Sequence, residues 1–176
     1  MSKKILTYII LTLSTLSTVA SSESRQDSVA DVSAAIKYLL KTGSYKRALA
    51  PGEPEELAEA FIQAAAEYKL PVYLLVVIGY RESVFRDLTG DGGRSLGIMQ
   101  VGRQGRAVCN CSMSSKESQI TCGACWLAAG LKWCKSIRGA VSAYAGGQCK
   151  PQSPRVKWLV DSRLKTYKKL EAKPWL

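Results

Sequence analysis

The chain has 176 residues and carries 25 Lys and Arg against 14 Asp and Glu, a formal charge of +11, with no histidine at all. This length is enough for one domain with its own hydrophobic core. The lack of histidine excludes Ser-His-Asp and Cys-His nucleophile systems and His-ligated zinc hydrolases. The net positive charge favours an anionic partner, such as an acidic envelope polymer, a lipid surface or nucleic acid.

The N-terminus has the pattern of an export signal. Lys3 and Lys4 precede an uncharged, largely apolar run over residues 5–20. Thr-Val-Ala at residues 18–20 supplies the small side chains that a signal peptidase requires. The run is shorter than the ~20 residues of a typical membrane span.

These features predict the domain organisation. We expect a cleaved signal peptide over residues 1–20, with an uncleaved weak anchor as the alternative. A polar linker follows over residues 21–26, and one folded domain covers residues 27–176. The mature chain is predicted to be exported to the periplasm or the extracellular space, without a stable membrane span.

Apolar spacing predicts helices along most of the domain. The helix that carries Glu82 is apolar all round, which indicates a buried helix. The Gly-rich segment over residues 89–105 is predicted to be irregular and to form the floor or wall of a cleft. Strand signals are weak, so the fold class is mainly α. The predicted helices cover residues 27–41, 54–69, 71 to about 82, a stretch after Ser115 and Gln119 ending near 133, 136–144, and 154–169, the last with a basic outer side.

All six cysteines fall in the predicted mature part. An even number of cysteines after an export signal indicates disulfides formed in an oxidising compartment. The spacings Cys-x-Cys and Cys-x-x-Cys suggest zinc as an alternative, but the chain has no histidine to complete such a site. We therefore predict disulfides and no metal. The cysteines are Cys109, Cys111, Cys122, Cys125, Cys134 and Cys149.

Helix geometry restricts how these cysteines pair. Cys122, Cys125 and Cys134 fall on one predicted helix, and at ~100° per residue Cys134 points away from Cys125. Cysteines three residues apart on a helix rarely meet disulfide geometry. Each helix cysteine is therefore predicted to pair with one of the three outside the helix, which are Cys109, Cys111 and Cys149. Such bonds would attach both flanking segments to this helix.

Glu82 is the candidate acid. It ends the apolar stretch over residues 72–80, and such surroundings raise the pKa of a carboxyl group by desolvation. A protonated carboxylic acid in a cleft is what glycosidic cleavage needs to protonate the leaving oxygen. The alternative interpretation is an ordinary solvated residue at the end of a helix.

Three motifs follow one another around this acid. The first combines Glu-Ser at residues 82–83 with Gly-Ile-Met-Gln at residues 97–100. The second is Ile-Thr-Cys-Gly at residues 120–123, and the third is Ala-Tyr-Ala-Gly-Gly at residues 143–147. The series, over about residues 56–149, resembles the soluble lytic transglycosylase (SLT) and goose-type lysozyme superfamily in both order and spacing.

The resemblance implies a fold and an activity. The fold would be a lysozyme-like, mainly α single domain with a cleft. The enzyme would cut the β-1,4 bond between N-acetylmuramic acid and N-acetylglucosamine in peptidoglycan glycan strands, without a cofactor and as a monomer. Glu82 would act first as general acid and then as general base.

The second step of the reaction can give either of two products. In a lytic transglycosylase the muramic acid 6-hydroxyl attacks and gives a 1,6-anhydro end. In a goose-type lysozyme water attacks instead, with a second carboxylate assisting. Asp91 occupies a position where the goose-type pattern has an acid, but Asp is also a common turn former in Gly-Asp-Gly-Gly. We predict the anhydro product, with hydrolysis as the alternative.

The resemblance also implies substrate-binding residues. Ser83 would bond the substrate or Glu82, and the hydroxyl of Tyr144 would orient Glu82. Core packing is the alternative for Met99, and a half-buried aromatic role is the alternative for Tyr144. The chain departs from the family pattern at Ile98, where the family has Leu, and at Gln119 and Ala145, where it has Asn. The predicted substrate-binding set is Ser83, Ser95, Met99, Gln100, Ile120 and Tyr144.

Two other functions remain as alternatives. An inactive basic protein of the envelope could hold glycan in the same cleft, although the intact Glu82-Ser83 pair argues against it. A nucleic-acid-binding role could use the basic C-terminal helix, but an export signal makes nucleic acid an unexpected partner. The basic residues of that helix are Arg155, Lys157, Arg163, Lys165, Lys168 and Lys169.

Overall fold

The computed structural model describes residues 27–173, which form seven α-helices and a small antiparallel sheet. The predicted mainly α class is confirmed. The predicted signal peptide and linker, residues 1–20 and 21–26, lie outside the described residues, as do residues 174–176. Between residues 27 and 173, no helix combines the length and the apolar character needed to cross a bilayer.

The elements follow one another in a simple order. In chain order they are α1 (Val29–Thr42), α2 (Glu53–Tyr68), α3 (Val72–Ser83), β1 (Thr89–Gly90), a 3₁₀ turn (Asp91–Gly93), β2 (Ser95–Leu96), β3 (Val101–Gly102), α4 (Arg103–Cys109), α5 (Lys116–Cys134), α6 (Ile137–Gly146) and α7 (Pro154–Glu171). Helix α5 packs against α2 and α6, while α7 packs against α3 and α6.

Serine caps start four of the helices. The Ser28 hydroxyl accepts a hydrogen bond from the Asp31 backbone N–H at 3.1 Å, and the Asp31 carboxylate accepts one from the Ser28 N–H. Such caps satisfy backbone donors that lack a partner inside the helix. At the starts of α5, α6 and α7, the hydroxyls of Ser115, Ser136 and Ser153 likewise accept a backbone N–H from the first turn.

Helix α3 forms the centre of the core, as its sequence predicted. Every residue from Tyr73 to Tyr80 is buried. Full burial of one large aliphatic side chain contributes roughly 1.5–3 kcal/mol, so this helix is a main source of stability. Because α3 packs against α1, α2 and α7, its last turn has a fixed position in the fold.

The segment over residues 89–105 is more regular than predicted. Thr89 pairs with Leu96, and Leu96 pairs with Val101, in a sheet of the order β1-β2-β3. Helix α4 begins at Arg103, inside the segment predicted to be irregular. Two-residue strands are too short to show alternation, and α4 has no side-chain cap at Gly102, so neither element left a local signal.

Three disulfides are present, and each joins α5 to a segment outside it. The prediction that every helix cysteine pairs with an outside cysteine is confirmed, and the zinc alternative is wrong because all six sulfurs are bonded. Two bonds attach the end of α4 and the segment after it to α5, and the third attaches the segment after α6 to the end of α5. The pairs are Cys109–Cys125, Cys111–Cys122 and Cys134–Cys149.

A buried carboxylate at the start of α2 ties three segments together. Glu53 accepts hydrogen bonds from the Ala50 backbone N–H at 3.1 Å, from Arg47 at 2.7 Å and from Lys116 at 3.3 Å. Arg47 also donates to the Phe85 carbonyl at 2.7 Å. The Glu53–Arg47 pair therefore connects the loop before α2, the start of α5 and the segment after α3.

This network predicts a dependence of stability on pH. Burial raises the pKa of Glu53, but the Ala50 N–H and the Arg47 guanidinium outweigh it and hold the pKa below its ordinary value. A lowered folded-state pKa adds stability that is present above the unfolded-state pKa and is lost as pH falls through the folded-state pKa. At neutral pH, Glu53→Gln should lower the free energy of unfolding by about 2 kcal/mol. The difference from wild type should shrink in acid.

Urea unfolding at neutral and acidic pH measures both effects. Glu59→Gln, on the exposed face of the same helix, is the matched control and should behave like wild type. An equal loss for Glu53→Gln at both pH values would contradict the expected linkage.

Candidate functional site

Glu82 lies in the last turn of α3 and forms an ion pair with an arginine of α7. The distance between Arg163 Nη2 and Glu82 Oε1 is 2.6 Å, and 19% of the Glu82 side chain is exposed against 4% of Arg163. The carboxyl is therefore largely withdrawn from water but still reachable from the surface.

Burial raises the pKa of the Glu82 carboxyl above its ordinary value. The Arg163 guanidinium opposes this rise, and the negative charge of Asp91 adds to it. A carboxyl subject to such opposing effects is suited to both giving and taking a proton. Desolvation is the largest of them, so the predicted direction of the pKa shift at Glu82 agrees with the geometry.

Two left-handed residues turn the chain directly after this acid. Val84 and Phe85 have φ angles of 58° and 59°, which non-glycine residues rarely adopt. Such residues cost of order 1–3 kcal/mol and persist where the surrounding structure holds them. Here they end α3 and direct the chain towards the small sheet.

Three helices hold the backbone of the segment over residues 97–100. The Ser83 hydroxyl donates to the Ile98 carbonyl at 2.7 Å, and the Tyr144 hydroxyl donates to the Met99 carbonyl at 2.7 Å. The Gln119 amide oxygen accepts the Ile98 N–H at 2.9 Å. One residue each from α3, α6 and α5 thus fixes this segment beside the end of α3.

Several predicted substrate-binding residues face the protein interior. Ser83, Met99 and Ile120 are buried, so their side chains support the site from the protein interior and are not exposed to a ligand at the surface. Met99 packs so closely on α5 that a Cβ added at Gly123 would lie 2.5 Å from the Met99 Cβ. Met99 therefore has the core-packing role given as its alternative.

Tyr144 has a different partner from the one expected. Its hydroxyl proton goes to the Met99 carbonyl instead of orienting Glu82. Burial and the nearby Glu82 charge raise the pKa of the Tyr144 phenol, so it stays protonated and remains a donor. Tyr144 therefore contributes to the site by fixing residues 97–100.

The remaining predicted residues lie on or beside the small sheet. The Ser95 hydroxyl donates to Asp91 Oδ2 at 3.0 Å, and the Gln100 amide donates to the Gly97 carbonyl at 2.8 Å. Asp91 is exposed with φ of 51° and is near enough to raise the pKa of Glu82. It thus has the features of a turn residue, and its negative charge also acts on the acid.

Arg163, the buried partner of Glu82, has a different orientation from the one predicted. The sequence predicts a basic outer side for the last helix, but the structure turns Arg163 inward. A signal was available, because Arg163 lies on the buried stripe of α7 with Val160, Tyr167 and Leu170. Their spacing of three and four residues marks one helix face.

Glu55 shows what distinguishes Glu82 from an ordinary paired carboxylate. It lines a surface hollow between α1 and the loop before α2, and it bonds Lys37 at 2.7 Å and Ser33 at 2.8 Å. The Lys37 and Ser33 hydrogen bonds lower the pKa of Glu55 to about 2. Such a carboxylate stays ionised at neutral pH and does not serve as an acid, which favours Glu82 as the catalytic candidate.

Gln119 should be required for the geometry of the site. It is 1% exposed and bonds the Ile98 N–H and, at 3.2 Å, the Met113 carbonyl. Gln119→Leu would leave the buried Ile98 N–H without this partner, so we expect a loss of about 2–3 kcal/mol in chemical denaturation. Amide hydrogen exchange at Ile98 should accelerate.

The matched control is Gln104→Leu, on the exposed side of α4, which should change neither quantity. Unchanged exchange at Ile98 in Gln119→Leu would show that Gln119 does not hold the segment.

The site thus combines a partly exposed acid whose pKa is raised by burial, a buried guanidinium that touches it, and a backbone segment fixed from three helices. Proton transfer to a bound ligand is the chemistry that this arrangement allows. In comparisons with known proteins, no family model, no curated protein and no solved structure matches this chain.

Proposed function

We propose that this chain cleaves the β-1,4 bond between N-acetylmuramic acid and N-acetylglucosamine in peptidoglycan, within a lysozyme-like fold. The observation that carries the proposal is the state of Glu82, a reachable carboxyl at the end of a buried helix whose pKa is raised by burial. The motif series around it supports the choice of substrate. The three disulfides support an exported protein acting in the periplasm or outside the cell.

The first step is proton transfer. The Glu82 carboxyl gives its proton to the glycosidic oxygen, the bond between that oxygen and the muramic acid anomeric carbon breaks, and N-acetylglucosamine leaves with the proton. The anomeric carbon carries the positive charge, and Glu82 is left as a carboxylate. No cofactor is needed, because one side chain supplies the proton.

The second step returns a proton to Glu82. In the transglycosylase form, the carboxylate takes the proton of the muramic acid 6-hydroxyl. The 6-oxygen bonds to the anomeric carbon of the same sugar and closes the 1,6-anhydro ring. In the lysozyme form, the carboxylate takes a proton from water while the water oxygen bonds to the anomeric carbon, and the product has a reducing end. Both forms restore the protonated acid.

The effect of Asp91→Asn on the rate distinguishes the transglycosylase form from the lysozyme form. If the product is the anhydro sugar, Asp91→Asn should reduce the rate less than about tenfold, because no water has to be activated. If water attacks with the help of Asp91, the same change should reduce the rate more than about 100-fold. We expect the smaller effect and anhydro ends in the products.

Mass spectrometry of the released fragments provides the independent readout, because the anhydro product lacks one water. Reducing ends together with a large loss in Asp91→Asn would identify the goose-type lysozyme reaction. If the protein only binds glycan and has no activity, neither wild type nor Asp91→Asn would release fragments.

A further inference from the structure

Arg163 is a buried guanidinium with most of its hydrogen-bonding capacity unused. It is 4% exposed, and its Nη2 bonds Glu82 Oε1 at 2.6 Å. Its Nε and Nη1 are buried and have no hydrogen-bond partner among residues 27–173. A charge withdrawn from water is unfavourable unless its partners compensate for the lost hydration. The interaction that compensates here is the one with Glu82.

This arrangement differs from a structural ion pair in the same chain. Glu53 is also buried, but it is surrounded by three donors. The Glu82 carboxylate has only the Arg163 bond, as far as residues 27–173 show. One carboxylate oxygen is held by the guanidinium, and the other is left for a ligand.

We propose that Arg163 is the positioning residue of Glu82: its guanidinium holds Oε1 of the carboxylate and stabilises the anion that Glu82 becomes when it gives up its proton. This inference rests on the proposed function, in which Glu82 is the acid. A guanidinium binds a carboxylate more strongly than a neutral acid, so its interaction grows as the proton leaves. An interaction that is stronger after proton transfer accelerates that step.

The charges around Glu82 determine what loss of Arg163 would do. Arg163 contacts Glu82 from α7, the negative charge of Asp91 acts on it from the 3₁₀ turn, its own charge acts on Tyr144 of α6, and Arg81 is its neighbour on α3. Without Arg163, burial and Asp91 would both favour the neutral acid, against the smaller opposing effect of Arg81. Glu82 should then keep its proton to higher pH.

Arg163→Met and Arg163→Lys test the proposal. The Glu82 carboxyl carbon is followed by NMR over a pH titration, with its resonance assigned by its loss in Glu82→Gln. In Arg163→Met the titration midpoint should move to higher pH, and the rate of glycan release should fall by about tenfold or more. The alkaline limb of the pH–rate profile should move in the same direction.

Arg163→Lys keeps the charge but not the planar fork. It should bring the titration midpoint back towards that of wild type while the rate stays lowered. This variant also tests the proposal if Arg163→Met does not fold. An Arg163→Lys protein with the wild-type titration midpoint and the full wild-type rate would exclude a positioning role for the guanidinium.

The matched control is Arg138→Met. Arg138 also has a carboxylate partner at 2.6 Å, Asp161, but that pair is exposed. Arg138→Met should leave the Glu82 titration midpoint and the rate of glycan release unchanged. A Glu82 midpoint in Arg163→Met equal to that of wild type would overturn the proposal. The titration needs no substrate, so a midpoint that moves in a protein that cuts no glycan would support the link between Arg163 and Glu82 and reject the proposed function.

Discussion

Glu82→Gln should lower the rate of peptidoglycan cleavage by about 10²–10⁴-fold, the range typical of lost general acid–base catalysis. The amide is nearly the same shape as the acid but neither gives nor takes the proton. Its oxygen still offers an acceptor to Arg163, so the fold and glycan binding should persist. Loss of turbidity of purified sacculi measures the rate, and co-sedimentation with sacculi measures binding.

Glu59→Gln is the control for this substitution, because it makes the same chemical change on an exposed helix face. It should retain the wild-type rate. A Glu82→Gln protein that keeps more than a few per cent of wild-type activity would mean that another residue is the acid, and Asp91 would be the next candidate.

Removal of the Cys134–Cys149 bond should produce the largest loss of stability among the three disulfides. It is the bond that attaches the segment after α6 to α5, and its cysteines are 15 residues apart. A loop of this size corresponds to about 3 kcal/mol of chain entropy in the unfolded state. Replacement of both cysteines by alanine should therefore lower the free energy of unfolding by about 3 kcal/mol in urea titration.

The matched comparison is the double alanine replacement of Cys109 and Cys125. It should have a smaller effect, because Cys111–Cys122 still attaches the neighbouring segment to the same helix. Equal losses for the two double replacements would contradict this shared attachment. Reduction of all three bonds should unfold the domain at a lower denaturant concentration than either replacement.

The helices were predictable because their signals are local. Four helices begin at serine caps, apolar spacing runs along the helices themselves, and α3 is recognisable as buried from its composition alone. The sheet and α4 were missed because two-residue strands have no period and Gly102 gives no side-chain cap. The disulfide pattern followed from helix geometry, since neighbours on one helix make poor partners.

The sequence marks Glu82 as a candidate acid but does not predict its contacts. Glu82 is marked by its position at the end of an apolar helix. The hydroxyl of Ser83, by contrast, bonds a carbonyl 15 residues away, and that of Tyr144 one 45 residues away. Such partners depend on tertiary packing. Arg163 lies 81 residues from Glu82, and only its place on the buried stripe of α7 hinted that it faces inward.

The most direct test of the proposed function is to identify which bond in peptidoglycan is cut. Purified sacculi are incubated with the wild-type chain and with Glu82→Gln, and the soluble fragments are analysed by mass spectrometry. We predict that every new end lies between N-acetylmuramic acid and N-acetylglucosamine, and that these ends are absent with Glu82→Gln. Fragments with intact glycan and cut peptides, or the same glycan ends from both proteins, would contradict the proposal.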